Sequence, residues 1–254
     1  MTFWLEERDL PEGSGFQPWG GEHLAVIAVV VLFLAVSLLL YRRPDEKKKK
    51  TVLYVVAFLL PALEVWKILM LTVSGCMGIG HLPLHLCSMA IYLYPVSVMT
   101  KTPGVRETLT EIGTVTLLPA ALGAILFPDW TMYPILNFYS LHAFVWHTLQ
   151  ILFPLLCLLD GRCRPDIRHL WKNTVFLLAG GIPIGMFDRF TGCNYWFLLR
   201  PVSGTPLQWL YDLFGKNGYL LSLLILATLF NLAVYGVCYA LRTGVGKFVI
   251  DRKK

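Results

Sequence analysis

Charge is scarce in this chain. Only 15% of its 254 residues are Asp, Glu, Lys or Arg, whereas a soluble domain carries about 25%. A shortage of that size, beside a 56% apolar content, excludes an ordinary water-exposed globule. Motifs for the common soluble chemistries are also missing. There is no GxGxxG, no P-loop, no HExxH and no internal repeat, so nothing calls for a cofactor. The six cysteines, Cys76, Cys87, Cys157, Cys163, Cys193 and Cys238, show no CxxC spacing, which argues against a zinc or redox motif. A signal peptide is not evident either: Met1-Thr2-Phe3-Trp4-Leu5-Glu6-Glu7 is acidic and lacks a basic n-region. The first apolar run is therefore expected to stay as an anchor.

What is present are long apolar blocks, and their spacing predicts an all-α membrane protein of seven spans. The expected boundaries are about 24–41, 51–74, 81–99, 112–127, 135–159, 173–187 and 219–241. A polar segment at 1–21 precedes this 22–241 domain, and a basic tail at 242–254 follows it. Basic residues gather in alternate loops, most densely in Arg42-Arg43-Pro44-Asp45-Glu46-Lys47-Lys48-Lys49-Lys50. The net charge of +6 thus reflects topology and not a nucleic-acid partner. This charge pattern predicts the N-terminus outside, the C-terminus in the cytoplasm and residence in the cell membrane. Two local features stand out. Gly180-Gly181-Ile182-Pro183-Ile184-Gly185 predicts a bend or a break in the sixth span. Leu207, Trp209, Leu210, Leu213 and Phe214 recur at helical spacing and predict a short interfacial helix before the seventh.

Polar groups inside such spans are costly unless paired, which makes them candidates for function. At about 1.5 Å per residue, the predicted topology gathers several in the outer half of the bundle. Glu64 lies in span two, His85, Cys87 and Ser88 at the start of span three, and His142 and His147 in span five. Asp188, Asn194 and Tyr195 follow span six. The structural alternatives are plain: Glu64 can pair with Lys67 at i+3, and a histidine can simply hydrogen-bond a neighbouring helix. Cys76 and Cys193 both fall on predicted outer connections, which permits a disulfide in an oxidising compartment. His81 and His85 stand at i, i+4 without a clear third metal ligand, so no metal is called.

Two stretches carry a family resemblance. His81-Leu82-Pro83-Leu84-His85-Leu86-Cys87-Ser88 and Gly192-Cys193-Asn194-Tyr195-Trp196-Phe197-Leu198-Leu199-Arg200-Pro201 resemble the signature segments of the bacterial YwaF-type integral membrane proteins. Those segments read P-x-H-L-C-S at the third span and G-x-N-Y-x-x-L-x-x-P after the sixth, and His147 looks like the family's span-five histidine. The chain departs from the pattern after Pro201, where Gly215-Lys216-Asn217-Gly218-Tyr219 stands in place of a Pro/Trp-rich turn. A eukaryotic relative of that family is regarded as a lipid acyltransferase working through Cys and His. The resemblance implies Cys87 as nucleophile, His147 as base and a membrane phospholipid as substrate. Glu64, His85, Ser88, Asp188, Asn194 and Tyr195 are then substrate-binding candidates.

Depth along the helix favours His142 as the base instead. The two histidines are five residues apart, roughly 140° around the helix, so both cannot face Cys87; the choice stays open on sequence. Asn194, Ser88 and backbone N–H groups freed at the span-six break are the oxyanion-donor candidates. Two other functions compete. A solute carrier or substrate-capture subunit would use the broken sixth span as a ligand site, and a structural or signalling protein would use the polar residues as interhelical glue. Oligomeric state is not legible.

Overall fold

The computed structural model describes the backbone of residues 2–251 and the side chains of residues 2–243. Met1 and the last three residues of the basic tail lie outside the described residues. Eight α-helices occur among the described residues, and no strand: α1 (Gly21–Tyr41), α2 (Glu46–Val73), α3 (Ala90–Met99), α4 (Pro103–Ile112), α5 (Leu118–Leu126), α6 (Phe138–Leu159), α7 (Leu170–Thr191) and α8 (Pro206–Asp251). Six helical stretches are long and apolar enough to cross a membrane, and Cys87–Met99 is a shorter apolar helix. Helix is the expected solution, because hydrocarbon offers no water to satisfy a backbone N–H or C=O.

Local chemistry sets the helix ends. The Asp45 carboxylate accepts from Lys48 N at 2.9 Å and caps α2, so the lysine run 47–50 forms the first turns of that helix rather than a loop. Asn137 caps α6 by accepting from Tyr139 N at 2.8 Å. Gly192, at φ 78°, ends α7 in the left-handed conformation that glycine adopts without strain. α4 and α5 form one continuous span through a π-helical segment, Gly113–Leu117. Pro119 lacks an N–H and leaves Val115 O without its usual partner. The Asn231 amide, turned to the orientation that satisfies both its polar atoms, donates to Val115 O at 2.8 Å. A polar group on α8 thereby repairs a defect in the neighbouring span.

α6 is the axis of the bundle. Its buried face, including Trp146, Leu149, Phe153 and Leu156, packs on Leu53, Val56 and Leu60 of α2 and on Tyr94 of α3. Lipid is as apolar as leucine, so close packing and hydrogen bonding, more than transfer from water, hold such helices together. α1, α7 and α8 lie outside this core with much of their surface exposed. The loops on one face carry Arg42–Lys50, Lys101, Arg106, Arg162, Arg164 and Arg168. We call it the basic face, and its opposite the neutral face.

Polar networks tie the helices at the basic face. Lys49 Nζ lies 3.1 Å from Glu46 Oε1 and 3.4 Å from Asp160 Oδ1, joining α2 to the end of α6. Buried Glu111 accepts from Asp166 N at 2.9 Å and Tyr235 Oη at 3.0 Å, and meets His169 Nδ1 at 2.8 Å. Asn173 Nδ2 donates to the same Tyr235 oxygen at 2.9 Å. Glu111 thus holds α4, α7 and α8 together at this end.

Three sequence expectations need correction. The third span is not a helix from residue 81. The chain there makes a 3-10 turn at Ile79–His81, runs extended through Leu82 and turns again at Cys87–Met89 before α3 begins. Pro83 removes a donor and disfavours helix for the residue before it. Second, α7 is continuous through Gly180–Gly185, with Pro183 inside it, so the predicted break does not exist. Third, all six cysteines are free, and Cys76 and Cys193 are not bridged. The short helix expected at 207–214 does form: Gly215, at φ 65° and ψ 176°, kinks α8 and sets residues 206–214 off from the rest of it.

Candidate functional site

The two stretches that resembled a family pattern meet in space. Residues 82–86, between the two 3-10 turns, belong to no helix, so their backbone groups must find partners elsewhere in the protein. Side chains supply the donors. Tyr195 Oη donates to Ile79 O at 2.5 Å, Tyr92 Oη to Pro83 O at 3.4 Å, and Trp196 Nε1 to Leu84 O at 2.8 Å. Gln150 Nε2, from the middle of α6, donates to Cys87 O. Burial pushes the Tyr195 phenol up to about 12, so it stays protonated as a donor. Tyr195 and Trp196 belong to the loop after α7, and Gln150 fixes the backbone of the candidate nucleophile itself.

The 193–200 loop is built to make this clamp. Trp196 (φ 56°) and Phe197 (φ 54°) sit in the left-handed region, a strained conformation for bulky residues of order 1–3 kcal/mol each. Asn194 offsets it: its Oδ1 accepts from Leu199 N at 3.0 Å and Arg200 N at 3.1 Å, and its Nδ2 donates to Arg200 O at 2.9 Å. Asn194 is thereby a loop staple, with one of its two Nδ2 N–H donors committed to Arg200 O. Gly180 has a packing role in place of the expected helix break. A Cβ there would stand 2.5 Å from Trp196 Cη2. Gly180→Val is accordingly expected to displace Trp196 and cost about 1–3 kcal/mol. The check is a lower thermal midpoint in detergent together with a red-shifted tryptophan emission.

The histidines have different fates. His142 Nε2 meets Leu63 O at 3.1 Å and is tied to α2. His147 bonds through Nδ1 to Ala143 O at 2.8 Å, and its ring stacks on Trp130 at 5.1 Å and 12°. Bonding Nδ1 to a carbonyl puts the proton there and leaves Nε2 with its lone pair. Nε2 has no protein hydrogen-bond partner among the described residues. His85 lies edge-on to Tyr195 at 4.8 Å and near Phe197 at 5.5 Å. Glu64 is a buried partner of Lys67, at 2.7 Å, as its structural alternative predicts. Ser88 is buried beside Cys87, and Asp188 is fully buried with neither carboxylate oxygen hydrogen-bonded.

Cys87, Ser88, His85 and Tyr195 therefore gather at one place. Gln150 reaches it from α6, and His147 stands one turn before Gln150 on that helix. Cys87 and His147 are not hydrogen-bonded to each other among the described residues. Gln150, Trp196 and Gly180 were missed as site residues on sequence. A lone amide inside the apolar run of α6 was the available signal for Gln150. No group of three His, Cys, Asp or Glu that could hold a metal occurs among the described residues.

Cys87 and His85 open on a cavity of about 1180 Å³ between α5, the π-helical segment, α7 and α8. Its walls are overwhelmingly Leu, Ala, Ile and Val. It extends from Arg189 and Thr205 at the neutral face to Cys238 and Leu241 near the basic face, so it is a groove running along the membrane normal. α7 and α8 are joined by the Glu111 network at one end and by the 192–205 loop at the other, which leaves the groove between them.

Compared with known proteins, residues 18–236 match a family model described as the TMEM164 family. No curated protein and no solved structure matches the chain.

Proposed function

The chain belongs to the TMEM164 family, and on that premise we propose that this multi-pass membrane protein transfers or hydrolyses lipid acyl chains through Cys87. The observation that carries the proposal is the long apolar groove onto which Cys87 opens. A groove of that shape suits an acyl chain lying parallel to its neighbours in the leaflet, with its ester near the thiol. The likeness of residues 81–88 and 192–201 to YwaF-type signature segments, with their acyltransferase relative, supports the same chemistry.

His147 is the base in this mechanism. The family resemblance gives His147 this role, and its Nε2 keeps a lone pair because Nδ1 donates to Ala143 O, whereas the His142 ring is tied across to α2 at Leu63 O. His147 Nε2 takes the Cys87 proton as the sulfur attacks the acyl carbonyl of a phospholipid ester. The tetrahedral intermediate collapses, the C–O bond breaks, and the imidazolium returns the proton to the departing lysolipid alkoxide. A thioester remains on Cys87. The imidazole then deprotonates a lysolipid hydroxyl or water, which attacks the thioester; the thiolate leaves and recovers its proton. Oxyanion donors are sought at Ser88 Oγ and at the N–H groups of Cys87 and Ser88, where a helix begins and donors lack intrahelical acceptors. Basic loops in the cytoplasm would put this chemistry in the opposite leaflet.

The test is alkylation of the purified protein with a long-chain chloromethyl ketone, followed by peptide mapping. Selective modification of Cys87 over the five other cysteines, slowed by His147→Ala but not by His142→Ala, is the expected result. A Cys87 that reacts no faster than Cys76 or Cys193 excludes it as the nucleophile.

A further inference from the structure

One buried polar group beside Cys87 has half of its hydrogen-bonding capacity unspent. Gln150 is fully buried in the middle of α6, and its Nε2 donates to Cys87 O. Its Oε1 is buried as well and has no hydrogen-bond partner among the described residues. We infer that Gln150 Oε1 and His147 Nε2 hold a nucleophilic water beside Cys87, which competes with a lysolipid hydroxyl for the acyl chain. Gln150 is then a positioning residue for that water. This rests on Cys87 and His147 being the nucleophile and base proposed above.

His147 and Gln150 are three residues apart on α6, so they share one face, with Cβ atoms about 5–6 Å apart. His147 Nδ1 donates to Ala143 O at 2.8 Å, which leaves Nε2 with a lone pair and no donor among the described residues. The backbone around the amide is already satisfied. Tyr94 Oη donates to Gln150 O at 3.1 Å, and Ala90 N donates to the same Cys87 O that the amide reaches. Cys87 O thus keeps a donor without Gln150, and what the glutamine adds is an acceptor. A buried acceptor left without a donor is costly, and an ordered water with two to four polar partners is the usual remedy.

Water fits two facing acceptors because its oxygen carries two hydrogens. One is donated to Gln150 Oε1 and the other to His147 Nε2, which leaves a lone pair for the acyl carbon on Cys87. A lysolipid hydroxyl has one hydrogen, and giving it to His147 leaves Gln150 Oε1 unpaired. In hydrolysis, His147 Nε2 takes a proton as the water oxygen bonds to the thioester carbon. The C–S bond then breaks, the imidazolium protonates the Cys87 thiolate, and a fatty acid leaves.

The experiment gives the full-length protein in detergent a phosphatidylcholine with a labelled acyl chain, in water enriched in heavy oxygen, with and without lysophospholipid. Quenching with hydroxylamine converts a Cys87 thioester to a labelled hydroxamate and so counts it. Wild type should release fatty acid carrying one heavy oxygen. Gln150→Met keeps the volume and lacks the acceptor. It should acylate Cys87 within about twofold of wild type, lose hydrolysis by about tenfold to a hundredfold and accumulate thioester. Transfer to lysophospholipid should persist, since that hydroxyl needs only His147. Acylation falling in parallel with hydrolysis overturns the subsite, as does transfer lost together with hydrolysis, or hydrolysis left unchanged. If Gln150→Met does not fold, Gln150→Glu decides, because its protonated carboxyl offers the same donor and acceptor. A ratio of hydrolysis to transfer near wild type supports the subsite, and a tenfold drop overturns it. Singly labelled acid with no hydroxamate in either protein, and its loss in Gln150→Met, supports the subsite and removes Cys87 as nucleophile. A wild-type hydroxamate without hydrolysis removes the subsite and leaves Cys87 standing. Neither transfer nor release from wild type removes both.

Discussion

Replacing Cys87 with serine should abolish transfer of a labelled acyl chain between phospholipids in proteoliposomes, and His147→Gln should lower it by about 10²–10⁴-fold. Serine keeps the volume and a hydrogen-bonding group but is a far weaker nucleophile without stronger activation. His147→Gln removes the basic nitrogen while retaining a polar side chain. The Cys87 carbonyl, held by Gln150, does not depend on either side chain, so neither change should unfold the site. Thermal midpoints near wild type verify that. His142→Ala tests the assignment of the base: its ring is tied to Leu63 O, so the variant should retain most of its activity. Full turnover by Cys87→Ser would rule out covalent catalysis at this position. A large loss in His142→Ala with little in His147→Gln would transfer the role of base to His142.

The second large effect is on stability. Glu111→Ala should destabilise the protein by about 3–5 kcal/mol, the cost of breaking a buried, hydrogen-bonded charge site by removing one partner. Three groups from two segments lose their acceptor at once: Asp166 N and His169 Nδ1 before α7, and Tyr235 Oη on α8. Tyr235 Oη and Asp166 N are then left to find water or remain unpaired. α7 and α8 should separate first, because much of their remaining surface faces outward. Unfolding of the purified protein in graded denaturing detergent measures the loss, and hydrogen exchange locates it. A drop confined to a few tenths of a kcal/mol would show that the network adds little to the bundle.

The helices differ in how far they could be read. α1, α2 and α6 announce themselves, because about 20 consecutive apolar residues in lipid have one low-energy backbone. The kinked helix at 206–214 was legible for the same reason, since an amphipathic period needs an interface. Residues 81–86 were misread as helix because hydropathy measures what a side chain prefers, not whether its backbone is satisfied. Here Tyr92, Trp196 and Tyr195 satisfy that backbone from elsewhere. Gly180–Gly185 reads as a possible break because Gly and Pro weaken a helix in water, yet α7 continues through it. At Gly180 the missing side chain makes room for an indole.

The candidate site divides the same way. Cys87, His85 and Tyr195 stood out because polar groups in an apolar run are costly, and three-dimensional structure brings them together. Glu64 and Asn194 stood out equally, but one is an ion-pair partner and the other a loop staple. Gln150 drew no attention, since a lone amide in an apolar run marks a costly group but not its partner, the Cys87 carbonyl.

By itself the sequence determined that this is an all-helical protein built for a bilayer, the course of its longest apolar spans, and which polar residues lie within them at a cost. These properties depend on composition and period, which neighbours along the chain already contain. Tertiary structure alone decided which costly residues are merely paired, where the groove opens, and that a loop after α7 holds the segment before α3. Those depend on contacts between residues about a hundred positions apart, such as Tyr195 with Ile79 and Trp196 with Leu84, whose partners no local pattern encodes.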